Sequence, residues 1–191
     1  MRVLLVGEGR HEESALPTLV RRVCPDLDPP EFRRAAERRF RVHGKGRGVL
    51  KVALRWMALA QREGFDAVVV LVDEDGNRDR LTQIEDAQAT ELYLIQRACG
   101  LAIRTFDAWF LADEQALSVV LGRPISRQPD PEGIAAPKER CQRLCEEVAN
   151  VGGLADLYAR AAECMDLEIL RNRCPQGWGV FEARLADLST N

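Results

Sequence analysis

The sequence predicts an α/β fold in which a mostly parallel sheet is covered by helices on both faces, making three layers. Two apolar runs, residues 3–6 and 67–72, are continuous enough to be strands buried on both faces. Segments with helical spacing alternate with the predicted strands, which is typical of parallel sheets with right-handed crossovers. We therefore expect a core over residues 1–121. Residues 122–191 are expected to form a Pro/Gly-rich loop and a C-terminal helical annex packed on this core.

The elements of the first half follow from hydrophobic spacing and from the glycines and prolines that interrupt it. Leu16, Leu19, Val20 and Val23 recur at helical spacing, and Cys24-Pro25 ends that pattern. A glycine-rich turn at 44–48 precedes the next helical pattern. In chain order we expect a strand at 3–6, a helix at 12–23, an exposed strand at 39–43, a helix at 49–63 and a strand at 67–72.

The second half is predicted in the same way. After a turn at 73–79 we expect a helix at 81–99, a strand at 101–105 and a helix at 107–121. From residue 138 the pattern is helical, with breaks at Gly152-Gly153 and at 174–177.

Composition narrows the class of protein. The chain has 191 residues, of which 46% are hydrophobic and 30% charged, as in an ordinary globular protein with one main domain. The sequence has no apolar stretch near the roughly 20 residues of a membrane span, and its first apolar run is too short for a signal peptide, so we expect a cytoplasmic protein without membrane contact. A net charge of −3 argues against indiscriminate coating of nucleic acid.

One segment has the opposite charge balance. Between residues 31 and 55 only Glu31 and Glu37 are acidic. The basic residues there are Arg33, Arg34, Arg38, Arg39, Arg41, Lys45, Arg47, Lys51 and Arg55. Such a run is typical of a phosphate-facing stripe, but also of solvated helix faces and partner contacts. The sequence leaves both interpretations open.

Acidic residues follow both apolar runs. Glu8 comes after the first predicted strand, and Asp73 and Asp75 come after the third. Taken singly, each acid has an ordinary explanation as a helix cap or a turn residue. Taken together they are expected to converge, because the carboxyl ends of neighbouring parallel strands meet at one edge. Close carboxylates repel one another unless a cation neutralises them.

The sequence therefore predicts a site for Mg²⁺ or Mn²⁺, which take oxygen ligands. Asp73 and Asp75 point to the same side if the extended backbone continues past the strand. Glu8 is expected to be a third ligand or a general base. Glu12, one turn further on, is expected to reach a second ion, and Asp79 is a reserve ligand.

These residues resemble a known family. Glu8-Gly9 after the first strand, with Asp73-x-Asp75 after a later one, resembles the Toprim domain of topoisomerases, primases, recombination-repair proteins and the overcoming-lysogenization-defect nucleases. Residues 8–12 resemble the Glu-Gly-x-Thr-Glu form of the last group, with His11 in place of the usual Thr. The resemblance implies a Rossmannoid Toprim-like fold and metal-dependent cleavage of phosphodiesters.

Further marks narrow the resemblance to a stand-alone prokaryotic Toprim-like family, domain-of-unknown-function family 4276. These marks are Lys45-Gly46, residues 104–113, Pro137-Lys138, Asp166-Leu167 and Cys174-Pro175. The family pattern leads us to expect Glu at position 107, where this chain has the shorter acid Asp107. Members of this family are often encoded beside ATPases in phage-defence loci, so the resemblance implies a separate ATPase partner.

Three further residues have both a functional and an ordinary interpretation. Lys45 is expected to contact a phosphate of the substrate, and the alternative is a solvated loop lysine. The same two interpretations apply to Lys138. His11 adjoins the acids, so it is either a base or ligand near neutral pH or a structural residue.

The function that these observations predict is a Mg²⁺- or Mn²⁺-dependent nuclease acting on DNA or RNA. Its catalytic residues would be Glu8, Lys45, Asp73 and Asp75, and its metal ligands Glu8, Glu12, Asp73 and Asp75. Two alternatives stay open: a non-catalytic regulatory or scaffolding subunit, and a small-molecule metallophosphohydrolase. The oligomeric state is not predicted.

Overall fold

The computed structural model describes residues 1–35 and 48–189, and within these ranges it contains one parallel sheet of four strands. Their spatial order is β2-β1-β3-β4, and each neighbouring pair is parallel. The strands are β1 (Val3–Gly7), β2 (Glu31–Arg34), β3 (Ala67–Asp73) and β4 (Gln96–Ala102). The predicted α/β fold with a mostly parallel sheet is therefore confirmed.

The two strands that carry the predicted acids are neighbours. Val3 of β1 pairs with Ala67 of β3, and Val6 pairs with Val70. The chain leaves both strands at the same edge of the sheet. This edge is where we expect a ligand site in an α/β fold.

Helices cover both faces of the sheet. In chain order they are α1 (Arg10–Val23), α2 (Gly48–Arg62), α3 (Asp79–Ala89), α4 (Asp107–Phe110), α5 (Glu114–Leu121), α6 (Pro137–Glu146), α7 (Leu154–Cys164), α8 (Leu167–Arg173) and α9 (Val180–Ser189), with a π-helical turn at Pro175–Gly179. None of the helices within the described ranges is long and apolar enough to cross a membrane.

The alternation of side chains along the strands sorts the core into two parts. Leu4 and Val6 face α2 and α3, in a cluster that includes Trp56 and Ile84. Leu5 faces the other way, into a larger cluster with α1 and α4–α9. The sheet is thus the middle of three layers, as predicted. Because α5–α9 share one hydrophobic cluster with the sheet, the C-terminal helices pack directly on the core, while the boundary at residue 121 stays a prediction.

The helix predicted at 81–99 and the strand predicted at 101–105 were both placed wrongly. The helix expected at 81–99 ends at Ala89, and strand β4 begins at Gln96, within that range. The segment was ambiguous because β4 contains polar residues at its start and Gly100 in its interior. A Cβ at Gly100 would lie 2.4 Å from the ring of Phe181, so the close approach of α9 requires glycine there.

The helix expected at 107–121 is two helices, α4 and α5. Asp113 separates them, because its Oδ1 accepts hydrogen bonds from the backbone N–H groups of Gln115 and Ala116 and so caps α5. Its other oxygen accepts from the N–H of Asp166, which ties α8 to the same point.

The second strand was also expected elsewhere. The structure has β2 directly after Pro29-Pro30, whereas the predicted strand at 39–43 lies outside the described residues. Phe32 is the one apolar residue of β2, so the strand lacks a clear pattern. Its ring packs over Gly7 of β1, where a Cβ would lie 3.0 Å away.

Candidate active site

Glu8 and Glu12 lie where β1 passes into α1. Gly9 is the residue before the helix, and its N–H donates to Glu12 Oε2 at 2.9 Å. Gly7 has no side chain to block this approach, since a Cβ there would lie 2.7 Å from the Cβ of Glu12. Burial raises the pKa of Glu12, as does, more weakly, the charge of Asp107. Burial also raises the pKa of Glu8. Glu12 is thus buried at the end of the sheet, whereas the Glu8 side chain is partly exposed there.

Asp73 ends β3 beside them. Its Oδ1 accepts a hydrogen bond from the N–H of Phe106 at 2.7 Å. Burial, followed by the negative charges of Glu12 and Glu8, raises the pKa of Asp73 to about 9. In the absence of a cation, Asp73 therefore holds a proton at neutral pH. Glu8, Glu12, Asp73 and Asp75 are called the acid edge below.

Asp75 lies in a loop whose backbone is held in an unusual conformation. Its φ is 50°, in the left-handed region that non-glycine residues seldom adopt. The N–H of Asp75 donates to the carbonyl of Arg104, which itself has a φ of 62°. The N–H of Arg104 in turn donates to Glu74 Oε2. Hydrogen bonds between the loops after β3 and β4 thus hold the backbone of Asp75 in this conformation.

Arg80 of α3 reaches back into the acid edge. Its Nη1 lies 2.5 Å from the backbone carbonyl oxygen of Asp73 and 2.9 Å from Asp75 Oδ2. The same atom is 3.7 Å from Glu8 Oε1. Arg80 lowers the pKa of Glu8, although the raising effect of burial is larger. The guanidinium group thus supplies part of the positive charge that the acids require.

Asp107 belongs to a second group of polar side chains, which lies against α1. Tyr158 donates its hydroxyl hydrogen to Asp107 Oδ1 at 2.6 Å, and burial raises the pKa of Tyr158. His11 Nδ1 lies 3.6 Å from the same Asp107 oxygen, and burial lowers the pKa of His11. Sequence reasoning missed Tyr158, because it lies 51 residues beyond Asp107 and carries no local motif.

Two of the remaining candidates can be placed. Asp79 is exposed at the start of α3, and its backbone N–H donates to Asn77. Lys138, in α6, lines a cavity of about 370 Å³ with Arg10 and His11. Lys138 lowers the pKa of Glu12, so its charge acts on the acid edge. Lys45 lies outside the described residues.

The two arginines of β2, at the start of the basic segment, are paired with acids of the protein. Arg33 contacts both Glu31 and Glu63, and Arg34 contacts Glu13 at 2.6 Å. These arginines are therefore neutralised within the protein. Residues 36–47, which hold several of the other cations, are outside the described ranges.

Comparison with known proteins identifies the family of this chain. The sequence model described as Domain of unknown function (DUF4276) matches residues 7–183. The chain belongs to the DUF4276 family. The match includes all four residues of the acid edge. Comparison with curated proteins and with solved structures found no match.

The acid edge of this DUF4276 protein has the right donors for a hard divalent cation, namely carboxylate and backbone carbonyl oxygens. An orphaned polar atom lies next to it: Thr105 Oγ1, one residue before the N–H that binds Asp73, is buried without a hydrogen-bond partner among the described residues. As the side chains stand, no three His, Cys, Asp or Glu groups in the described ranges converge closely enough to chelate an ion. The donors fit such an ion in chemistry, and binding requires them to close together.

Proposed function

We propose that this DUF4276 protein is a Mg²⁺- or Mn²⁺-dependent phosphodiesterase of the Toprim type that cleaves DNA or RNA. The observation that carries the proposal is the proximity of Asp73 to Glu8 and Glu12 at the carboxyl edge of the sheet, where burial and the charges of these two acids raise the pKa of Asp73 to about 9. Bringing such groups together is unfavourable without a cation, and a divalent cation is the usual solution in proteins.

The acid edge divides into two sets of ligands. Glu8, Asp73 and Asp75 would hold one ion, and Glu12 would serve a second. Ions bound there supply an activated water and stabilise the leaving oxygen of a phosphodiester. The protein's own contribution is orientation: backbone N–H groups at Gly9 and Phe106 hold one oxygen each of Glu12 and Asp73. Lys45 is assigned to a substrate phosphate on sequence grounds alone.

A phosphate-bearing substrate is supported by a cavity whose Lys138 acts electrostatically on Glu12 of the acid edge. Arg10, His11 and Lys138 line it, and Lys138 forms no ion pair with a residue in the described ranges. Glu146 also lines this cavity, but its Oε1 accepts a hydrogen bond from Gln142. The positive side chains of Arg10 and Lys138 suit the backbone of a nucleic acid.

The size of the cavity supports a second candidate function. A space of about 370 Å³ is within the range of small-molecule sites, so it suits a mononucleotide. A small-molecule metallophosphohydrolase would use the same acid edge and the same cavity. The two functions differ in whether the substrate is a polymer.

The Toprim relationship and an ATPase partner are part of the proposal. The Toprim relationship is supported by the order of motifs, with Glu8-Gly9 after β1 and Asp73-x-Asp75 after β3, the strand beside it. The ATPase partner is proposed only from the family resemblance.

The test is a cleavage assay with the purified chain in Mg²⁺ or Mn²⁺, with EDTA as the metal-free arm. Plasmid, single-stranded DNA, RNA and mononucleotide substrates are compared. We expect metal-dependent cleavage that falls at least about 100-fold in Asp73→Asn, because a metal ligand is lost. Asp86→Asn, an exposed acid of α3, is the matched control and should retain full activity.

Other outcomes decide between the alternatives. Turnover of mononucleotides without polymer cleavage would select the second candidate. Cleavage that persists in Asp73→Asn would place the activity elsewhere and refute the proposal. Mn²⁺ binding without any cleavage, even with an ATPase encoded beside this chain, would favour a non-catalytic subunit.

A further inference from the structure

Arg80 holds an unusual position for a side chain of a neighbouring helix. One of its nitrogen atoms, Nη1, is surrounded by a backbone carbonyl oxygen and two carboxylates, from Asp73, Asp75 and Glu8. These three oxygens come from the ends of two adjacent strands. Carbonyl and carboxylate oxygens are also the donors that Mg²⁺ and Mn²⁺ take.

We propose that Arg80 is a resident counter-ion, which neutralises the acid edge in the metal-free protein and is displaced when a divalent cation binds. The inference rests on the proposed function, because it assumes that the acid edge binds metal. It adds a role for a residue outside the predicted ligand set. A cation bound by Glu8 and Asp75 would compete with Nη1 for the oxygens of these two carboxylates, so both cannot hold them at once.

The side chain is suited to this exchange. Arg80 lies in the first turn of α3, and its side chain is 23% exposed, so it has a path to solvent. An arginine side chain is long and flexible, and its charge does not depend on pH in the physiological range. The exchange therefore replaces one cation by another without leaving the carboxylates unpaired.

The inference predicts that Arg80→Gln lowers the melting temperature of the metal-free protein but raises its affinity for Mn²⁺. Without metal the variant should melt at a lower temperature than the wild type, because the acids lose their counter-charge. With metal it should bind Mn²⁺ about 5- to 10-fold more tightly, because the competing charge and its hydrogen bonds are gone. An arginine with a purely structural role would lower the melting temperature without tightening Mn²⁺ binding.

The experiment measures free Mn²⁺ by electron paramagnetic resonance and thermal unfolding in EDTA and in Mn²⁺. Arg78→Gln is the matched control, since Arg78 is exposed, lies two residues away and forms no ion pair with a described residue. It removes the same charge without touching the acid edge. We expect its Mn²⁺ affinity to stay within about twofold of the wild type.

A second measurement uses the wild-type protein, so it does not depend on the folding of a variant. Addition of Mg²⁺ should shift the side-chain ¹⁵N resonances of Arg80 and leave those of Arg78 in place. If the wild type binds Mn²⁺ but Arg80→Gln binds it no more tightly, or if the Arg80 resonances do not move, the counter-ion role is refuted and the metal site survives. If neither protein binds Mn²⁺, the proposed function fails as well.

Discussion

The protonation of Asp73 makes a prediction about stability. The pKa of Asp73 is about 9 in the folded protein, against 3.8 for an ordinary aspartate. Between these two values the folded state keeps a proton that the unfolded chain releases. Stability therefore falls as pH rises through this window, since the unfolded state binds fewer protons. The slope for one such group is about 1.4 kcal/mol per pH unit.

The substitution Asp73→Asn isolates this effect. Asparagine keeps the Oδ1 acceptor for the N–H of Phe106 and removes the titrating group. The free energy of unfolding of the variant, minus that of the wild type, should therefore rise with pH. From pH 5 to pH 7 the expected rise is about 2.8 kcal/mol, or two pH units at about 1.4 kcal/mol each.

The assay is urea unfolding in EDTA at pH 5, 6, 7 and 8, which keeps cations out of the comparison. Asp86→Asn serves as the control, because this acid of α3 is exposed, and its difference from the wild type should be flat. A flat difference for Asp73→Asn as well would show that Asp73 is ionised throughout. In that case the crowding argument for a metal site would lose its support.

Three other substitutions test contacts that stabilise the fold: a buried hydrogen bond, a close helix–strand contact and a helix cap. Tyr158→Phe keeps the ring but leaves Asp107 without its 2.6 Å donor, so urea unfolding should show a loss of about 1 to 3 kcal/mol; an unchanged midpoint would mean that this hydrogen bond adds nothing. Gly100→Ala places a Cβ 2.4 Å from Phe181 and should lower the free energy of unfolding by about 1 to 3 kcal/mol, measured by thermal unfolding. Wild-type stability would show that α9 can move away from β4 without loss. Asp113→Ala removes the cap of α5 and should cost about 1 to 2 kcal/mol in urea; a loss below about 0.3 kcal/mol would contradict the capping role.

The sequence predicted the elements best where a continuous apolar run forms a buried strand. The strands β1 and β3 are continuous apolar runs, so their position and their adjacent acids could be predicted from the chain alone. The meeting of Glu8, Glu12 and Asp73 followed from strand adjacency, which the order β2-β1-β3-β4 bears out. Such predictions depend on short-range pattern and on one topological rule.

Other features depend on contacts between distant parts of the chain. The start of β4 was missed because Gln96 and Arg97 interrupt its apolar pattern, and the requirement for Gly100 comes from a helix about 80 residues later. The contact of Tyr158 with Asp107 is equally nonlocal. The approach of Arg80 to the acids depends on the direction in which α3 leaves its turn, which no spacing in the sequence encodes.

The hydrogen bond from Phe106 has a consequence for the kind of cation that the acid edge selects. In the proposed metal site, the N–H of Phe106 uses one lone pair of Asp73 Oδ1, so Oδ2 would be the better donor to an ion. The carboxylate would then bind mainly through that one oxygen. Calcium favours crowded shells that include two-oxygen carboxylates, whereas magnesium is satisfied by single oxygens and retained water. If the proposed site binds a divalent ion, the backbone of one loop would thus favour magnesium over calcium.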